Sequence, residues 1–274
     1  MKTLHAALTQ ARGDLRPNLL GVSVLSVIAP VIFFIIFVFR NNTLNDFAQV
    51  PAGQIVLAGL VGGYCSFIVM QIASEYYVDR IGGALLRVRT FPNGPKVWTL
   101  GKTISTLIIT FTPQLMLLIL SAIFIPNSPF SLGSVLLAAL IAFFACVAST
   151  PLGFIIGAFL RGTYTQLLAY FVITLYMATS GLFFPLDVLP RWAQLIHQVL
   201  PGYWSGHLTR WALVDDTSFE LSGQFTPLLA FGIPTIWLVV GFALLPLIIR
   251  RSFRQESMGS LASLQEKTRS QAGV

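Results

Sequence analysis

Long uninterrupted runs of apolar residues dominate the chain, and their length predicts membrane-spanning helices. A helix that crosses a hydrocarbon core of about 30 Å needs about 20 consecutive apolar residues. A transmembrane barrel would instead show segments of about ten residues in which polarity alternates. Helical runs without any Asp, Glu, Lys, Arg or His occupy residues 18–39, 54–74, 103–125, 132–160, 163–184 and 227–249. The pattern therefore predicts an all-α integral membrane protein with six spans.

Composition agrees with that pattern and excludes a fold that faces water all round. Of the 274 residues, 55% are hydrophobic and only 10% are charged. A soluble domain carries about 25% charged residues, because its surface needs them. We therefore expect one membrane domain over residues 18–251, flanked by short segments at 1–17 and 252–274.

Lysine and arginine are distributed unevenly between the two sides that six spans define. Of the 17 such residues, all except Arg40, Arg191 and Arg210 fall on the side of the N-terminus. The ten acidic residues divide equally, so the bias is one of Lys and Arg and not of net charge. The positive-inside rule has that form. It places both termini in the cytoplasm and explains the basic composition without a nucleic-acid partner.

Two further segments have amphipathic patterns. Residues 1–17 place apolar side chains on one helical face and basic ones on the other, which favours a helix in the cytoplasmic interface over a frayed terminus. Pro17 would then turn the chain into the membrane. Between Val188 and Leu200 apolar residues recur at helical spacing, which predicts a re-entrant helix in the outer leaflet. Residues 252–274 are polar, and we expect a flexible cytoplasmic tail there.

Several kinds of catalytic or binding site are incomplete in this sequence. The spans lack the ionisable groups that proton pumps and voltage sensors place inside the membrane. Residues 202–206 approach a nucleophile elbow, but the serine is one place away from the required position. Residues 94–103 approach a phosphate-binding loop, but six residues separate the glycines where the loop has four. ATP would therefore be handled by another subunit.

Two histidines near the outer surface are the remaining candidates for a metal site. His197 and His207 lie ten residues apart, near Asp215 and Asp216. We favour solvated histidines at the membrane interface over a metal site, and we expect no metal or cofactor on this chain.

A stripe of small residues in the fourth span predicts close helix packing. Ser149, Gly153 and Gly157 follow one another at intervals of four, which places them on one helical face. Small residues allow two membrane helices to approach closely. The partner helix could belong to the same chain or to another one.

Two segments outside the predicted spans combine glycine and proline with charged or aromatic residues. The first lies between spans two and three and comprises Asp79-Arg80, Gly83, Leu85, Pro92, Pro95 and Gly101-Lys102. The second lies between spans five and six and comprises Ser180-Gly181, Phe184-Pro185, Leu189-Pro190, Trp192, Pro201 and Trp204. In their order, and on opposite sides of the predicted membrane, they resemble the ABC-2-type permease family, the membrane subunits of bacterial exporters of drugs, lipids and polysaccharides.

The resemblance implies a half-transporter in a bacterial plasma membrane. It would dimerise with an identical or a different permease, and two ATPase subunits that hold ATP and Mg²⁺ would bind beneath. Coupling to the ATPase would involve Glu75, Asp79, Arg80, Gly83, Leu85, Arg87, Pro92, Gly101 and Lys102. An extracellular gate would involve Ser180, Gly181, Phe184, Pro185, Leu189, Pro190, Trp192, Pro201 and Trp204.

The resulting hypothesis is an export permease for an amphipathic or apolar cargo, such as a drug, a lipid or a lipid-linked glycan. An uncharged route through the membrane suits such a cargo, and the chain itself would not be an enzyme. The alternative from another class is a six-span assembly or structural factor that transports nothing. An integral membrane enzyme comes third.

Overall fold

The computed structural model describes residues 2–20, 32, 52–124, 130–214 and 216–272, which are helical apart from short turns and loops. The helices are α1 (Lys2–Leu20), α2 (Ala52–Gly63), α3 (Cys65–Ile81), α4 (Ala84–Arg89), α5 (Gly94–Phe124), α6 (Leu132–Phe159), α7 (Thr163–Thr179), α8 (Arg191–Val199), α9 (Pro201–Leu213), α10 (Pro227–Gln255) and α11 (Met258–Ala272). The all-α architecture is as predicted. The predicted first span, 18–39, lies almost entirely outside the described residues.

Four helical stretches among the described residues are long and apolar enough to cross a membrane. They are Gly53–Ile81, Gly94–Ile123, Leu132–Phe159 and Pro227–Gln255. They correspond to the predicted spans at 54–74, 103–125, 132–160 and 227–249. The predicted span at 163–184 contains α7, which is 17 residues long and ends at Thr179. The arrangement of six spans stays a prediction.

Helix α6 lies at the centre of the bundle and contacts α2, α3, α5, α9 and α10. Its small residues face α3 of the same chain. A Cβ atom added to Gly153 would lie 2.8 Å from the Ile72 Cβ, and one added to Gly157 would lie 2.7 Å from the Tyr76 Cβ. Ser149, one turn earlier, is also buried. The stripe of small residues therefore permits an intramolecular helix contact.

The helices extend beyond the predicted spans at one end of the bundle, which we call the basic end. Helix α3 continues to Ile81 and α5 already begins at Gly94, so most of the predicted loop 75–102 is helical. The only described turns in it are at residues 82–83 and 90–93. A short helix, α4, lies between them. The predicted coupling helix is thus limited to Ala84–Arg89.

Two terminal predictions need correction. Helix α1 continues through Pro17 to Leu20, so this proline does not mark the turn that we predicted. In place of a flexible tail over 252–274, α10 continues to Gln255 and α11 follows it. The Gln265 side-chain amide donates to the Ile81 carbonyl at 2.9 Å. This contact, together with the burial of Leu264, holds α11 against the end of α3.

Candidate functional site

A lysine at the basic end joins three helices. The Lys102 Nζ on α5 lies 3.1 Å from Glu75 Oε2 and 3.2 Å from Asp79 Oδ2, both on α3. It also lies 3.2 Å from Asp14 Oδ2 on α1. The Trp98 indole N–H donates to Asp79 Oδ2 at 2.7 Å. One cation among three carboxylates therefore cross-links α1, α3 and α5.

Within this cluster, the pKa of the Asp14 carboxyl is raised above its ordinary value. Burial raises the pKa of the Asp14 carboxyl, and the nearby Lys102 charge lowers it by less. Asp79, another anion in the cluster, contributes to the rise. The position of α1 relative to α3 and α5 thus depends on a set of charges in mutual balance.

Arg80 forms the second cross-link at the basic end. Its side chain is buried, and the Nε donates to Glu256 Oε1 at 2.8 Å. The Nη2 donates to Ser252 Oγ at 3.0 Å, and the guanidinium lies 4.9 Å from the centre of the Tyr76 ring. Because Ser252 and Glu256 lie at the end of α10, Arg80 ties α3 to that helix.

The same guanidinium also closes the end of α6. The last carbonyl groups of a helix have no partner within it and carry partial negative charge. Arg80 donates to three such carbonyls, those of Gly157, Ala158 and Leu160. A buried arginine is therefore satisfied by one carboxylate, one hydroxyl and a helix terminus, and it connects α3, α6 and α10.

The predicted coupling residues separate into an internal set and a surface set. Glu75, Asp79, Arg80 and Lys102 belong to the two polar networks above. Leu85 is buried in one cluster with Trp98 and Phe253, so the chain itself covers the apolar stripe of α4.

Two glycines of the predicted set have local structural roles. Gly83 has φ +69°, a conformation that favours glycine, and it forms the turn between α3 and α4. A Cβ atom on Gly101 would lie 3.2 Å from the Ala7 carbonyl oxygen of α1. The first glycine therefore shapes the turn, and the second allows α1 to approach α5.

Arg87 and Pro92 are the predicted coupling residues that lie exposed at the surface. Between them is Phe91, whose side chain is 64% exposed and which sequence analysis did not select. The adjacent Asn93 has φ +58°, and this turn directs the chain into α5. We call Arg87, Phe91, Pro92 and Asn93 the tip. The signal for Phe91 in the sequence is an aromatic residue directly before the turn-forming Pro92 and Asn93.

The predicted gate forms a compact unit at the opposite end of the bundle, built from α8 and α9. Pro190 immediately precedes α8, and Pro201 is the first residue of α9, where its lack of an N–H costs nothing. Pro185 precedes a short 3₁₀ turn, and the partly exposed Phe184 lies just before it. The prolines thus mark where the local helices begin.

The turn after α7 is held by contacts with α9. Gly181 has φ +76°, and a Cβ atom there would lie 3.1 Å from the Tyr203 ring. The buried Ser180 donates to the Met177 carbonyl at 2.8 Å. The Trp204 indole, also buried, donates to the Gln198 carbonyl at 2.6 Å. These contacts bring Ser180, Gly181 and Trp204 into one packed unit.

The apolar stripe of α8 faces outward. The Trp192 side chain is 67% exposed, and Leu195, Ile196 and Val199 are exposed too. Ala193 and His197 are the buried residues of this helix. Leu189 packs partly against the cluster that contains Tyr203 and Trp204. The stripe is thus available to lipid or to another chain.

Sequence analysis missed a buried ion pair beneath this surface. The Arg210 side chain on α9 is fully buried, and it donates from Nε and Nη2 to the two carboxylate oxygens of Glu220. It also donates to the Gly181 carbonyl at 3.0 Å. Burial would raise the pKa of Glu220, but the Arg210 charge and hydrogen bonds from His207 and Arg210 lower it to about 2. The pair is therefore charged at neutral pH.

His207 completes this network. Its Nε2 accepts the Thr226 amide hydrogen at 2.9 Å, so the ring hydrogen lies on Nδ1, which contacts Glu220. The Tyr203 hydroxyl donates to Glu220 at 3.3 Å. Both ring nitrogens of His207 are thus engaged within the chain, and the solvated histidine that we predicted is instead a buried one.

His197 is buried as well. Its ring stacks on Tyr176 with a centroid distance of 5.1 Å, and its Nε2 lies 3.0 Å from the Thr179 hydroxyl. Burial lowers the pKa of His197. Within the part of the chain that the structure describes, no group of three His, Cys, Asp or Glu side chains is placed to hold a metal ion.

Comparison with known proteins identifies the family. No curated protein matches the chain. The family model for the ABC-2 type transporter matches residues 17–214. This range includes the tip, the network residues Glu75, Asp79, Arg80 and Lys102, and helices α8 and α9. The resemblance seen in two short motifs is thereby confirmed over most of the sequence. The chain belongs to the ABC-2 type transporter family, and it is the membrane component, or permease, of an ABC transporter.

Proposed function

We propose that this permease belongs to an exporter that moves an amphipathic or apolar cargo, such as a drug, a lipid or a lipid-linked glycan, out of the cytoplasm. ATP and Mg²⁺ would be bound by two copies of a separate ATPase subunit. The basic end would face the cytoplasm of a bacterial cell, in line with the positive-inside rule. A second permease chain, identical or different, would complete the complex.

The observation that carries this proposal is the rigid attachment of an exposed tip to the spans. Arg87 on α4 and Phe91 and Pro92 in the turn after it are exposed, whereas Leu85 on α4 is buried in the core. The Arg89 guanidinium donates to the Glu256 carbonyl at 2.9 Å, which fastens α4 to the end of α10. Force applied at the tip would therefore reach α3, α5 and α10 together, as a transmission element requires.

A cleft beside the tip offers a surface for the ATPase. It has a volume of about 610 Å³ and lies between α1 and the start of α5. Its wall includes Ala6, Val88, Phe91, Pro92 and Val97. Interfaces of this kind are usually dominated by a few aromatic and arginine side chains. Phe91 and Arg87 are the residues of those types that the tip exposes.

The cargo class follows from the route. The predicted spans contain no Asp, Glu, Lys, Arg or His, so a polyanion would meet no compensating charge along its path. An apolar or amphipathic molecule needs none. The exposed apolar face of α7, with Leu168 and Phe171 among its residues, suits lipid or the second permease chain.

The proposal is tested by co-expressing the chain with each candidate ABC ATPase subunit of the host and measuring the ATPase that co-purifies. Phe91→Ala and Arg87→Glu should each lower the recovered ATPase about tenfold or more, as expected for interface hot spots. Arg269→Glu on α11 is the matched control, because Arg269 is also exposed but belongs neither to the tip nor to the lining of the cleft. It should leave recovery unchanged.

The outcome also separates the exporter from its rival. If no ATPase co-purifies with the unmodified chain, the assembly-factor hypothesis is favoured. If ATPase binds equally to the unmodified chain and to both tip variants, the tip is not the docking surface. Gly83→Trp is a poor probe, because a side chain at φ +69° strains the turn whatever the ATPase does.

A further inference from the structure

A cavity at the basic end separates α5 from α10. Its volume is about 430 Å³, and its walls come from one face of each helix. The α5 wall consists of Lys96, Thr99, Leu100 and Thr103, whose spacing of three, one and three residues places them on one helical face. The α10 wall has the same spacing and consists of Phe242, Leu245, Pro246, Ile249 and Arg250.

The cavity has a cationic end and an apolar end. Lys96 is in the first turn of α5 and Arg250 is near the end of α10, so both lie toward the same end of the bundle. Thr103 and Phe242 lie about two helical turns deeper, on the order of 10 Å away. Both cations are exposed, and among the described residues neither forms an ion pair.

One polar group in the cavity lacks an internal partner. The Thr103 side chain is 9% exposed, and its Oγ1 is buried without a hydrogen bond among the described residues. A buried hydroxyl is costly to leave unsatisfied, so such groups normally have a partner. Thr103 lines the cavity, and a rotation of its side chain about χ1 would bring this unpartnered hydroxyl to a ligand oxygen below the two cations.

We infer that this cavity binds one anionic phospholipid from the leaflet at the basic end. Lys96 and Arg250 would hold the phosphate, and the Thr103 hydroxyl would donate to a glycerol ester carbonyl. Phe242, Leu245 and Ile249 would contact the first methylene groups of an acyl chain. Basic pockets between membrane helices on the cytoplasmic side are known to suit anionic headgroups. The inference does not depend on the direction of transport or on the ATPase.

Native mass spectrometry of the full chain in detergent, titrated with a short-chain phosphatidylglycerol, tests the inference. The unmodified chain should bind one such lipid at least tenfold more tightly than the phosphatidylcholine of equal chain length. Lys96→Gln with Arg250→Gln should weaken phosphatidylglycerol binding about tenfold or more. Arg251→Gln with Arg254→Gln removes the same charge from exposed residues outside the cavity, and it should change binding less than twofold.

A third variant tests the location without changing any charge. Leu100→Trp fills space in the cavity from a residue that is 42% exposed, so the fold should tolerate it. It should also weaken phosphatidylglycerol binding about tenfold. The inference is overturned if both double variants weaken binding equally, which would show attraction to the surface as a whole. It is also overturned if phosphatidylcholine binds equally well, or if Leu100→Trp binds as the unmodified chain does.

Discussion

Two buried arginines, Arg80 and Arg210, have the same kinds of hydrogen-bond partner at opposite ends of the molecule. Each pairs with one carboxylate and donates to backbone carbonyls where a neighbouring helix ends. An unpaired charge in such a place would be very costly, whereas a paired one is tolerated. At the scale of the residue, these side chains therefore fix how helix ends are held together, and exposed cations such as Arg87 remain available for other contacts.

Replacing Glu220 with Gln should destabilise the protein. The change leaves Arg210 buried without its counter-charge, which costs about 3–5 kcal/mol. The measurement is the free energy of unfolding in detergent, followed by tryptophan fluorescence. Glu266→Gln on α11 is the control, because that side chain is exposed, and it should unfold as the unmodified protein does. Equal stability of the two variants would contradict the role given to Glu220.

The same pair of variants carries a pH dependence. The pKa of Glu220 falls from 4.5 to about 2 on folding, so its contribution to stability is complete above about pH 4.5. That contribution is lost as the pH falls through about 2. The stability difference between the unmodified protein and Glu220→Gln should therefore be constant between pH 5 and 7 and should shrink steadily below pH 4. A difference that is independent of pH down to 2 would be evidence against a charged Glu220.

These residues also show where sequence reasoning ends. Arg210 and Glu220 are ten apart, on a helix and a following turn, and neither a helical nor a strand period pairs them. The motif residues around them, from Gly181 to Trp204, were found because they match a family pattern. Phe91 was missed because the exposure of its side chain depends on the conformation of the turn at residues 90–93.

At the scale of the element, the close contact between α3 and α6 organises the bundle. Apolar run length correctly predicted that helices exist at both places. At the basic end it placed the end of α3 and the start of α5 wrongly, because Glu75, Asp79 and Lys102 look like loop residues until they are seen to neutralise one another. Charges that are paired inside the protein can continue a helix beyond the apolar run. The re-entrant character of α8 and α9 remains a prediction.

A pair of glycine substitutions tests this contact. Gly153→Ala places a Cβ atom 2.8 Å from the Ile72 Cβ and 3.0 Å from the Val69 carbonyl oxygen, so it should destabilise by about 1–3 kcal/mol. Gly232→Ala in α10 meets nothing within 4 Å and should stabilise by about 0.5–1 kcal/mol, since alanine favours a helix interior. The free energy of unfolding measures both.

The opposite signs are the informative feature. If Gly153→Ala is as stable as Gly232→Ala, α3 and α6 are not in the close contact described here. If both destabilise equally, helix propensity and local packing do not explain the behaviour of either glycine.

At the scale of the whole molecule, an exposed tip is connected through two polar networks to helices α1, α3, α5, α6 and α10. The far end contains a packed unit whose own ion pair joins α9 to the turns after α7 and before α10. Under the proposed function, a push at the tip would move these helices together. The family and the helical class could be predicted from sequence, whereas this connection required the positions of side chains on helices far apart in the chain.

The most direct test of the central claim is ATP-dependent accumulation of a lipophilic fluorescent probe in proteoliposomes that contain this chain and its ATPase. The tip should face the ATP solution, and the probe should accumulate in the lumen only when ATP and Mg²⁺ are present. Phe91→Ala should lower the rate about tenfold or more, and Arg269→Glu should leave it unchanged. Accumulation that is independent of ATP, or that proceeds at the full rate in Phe91→Ala, would contradict the account.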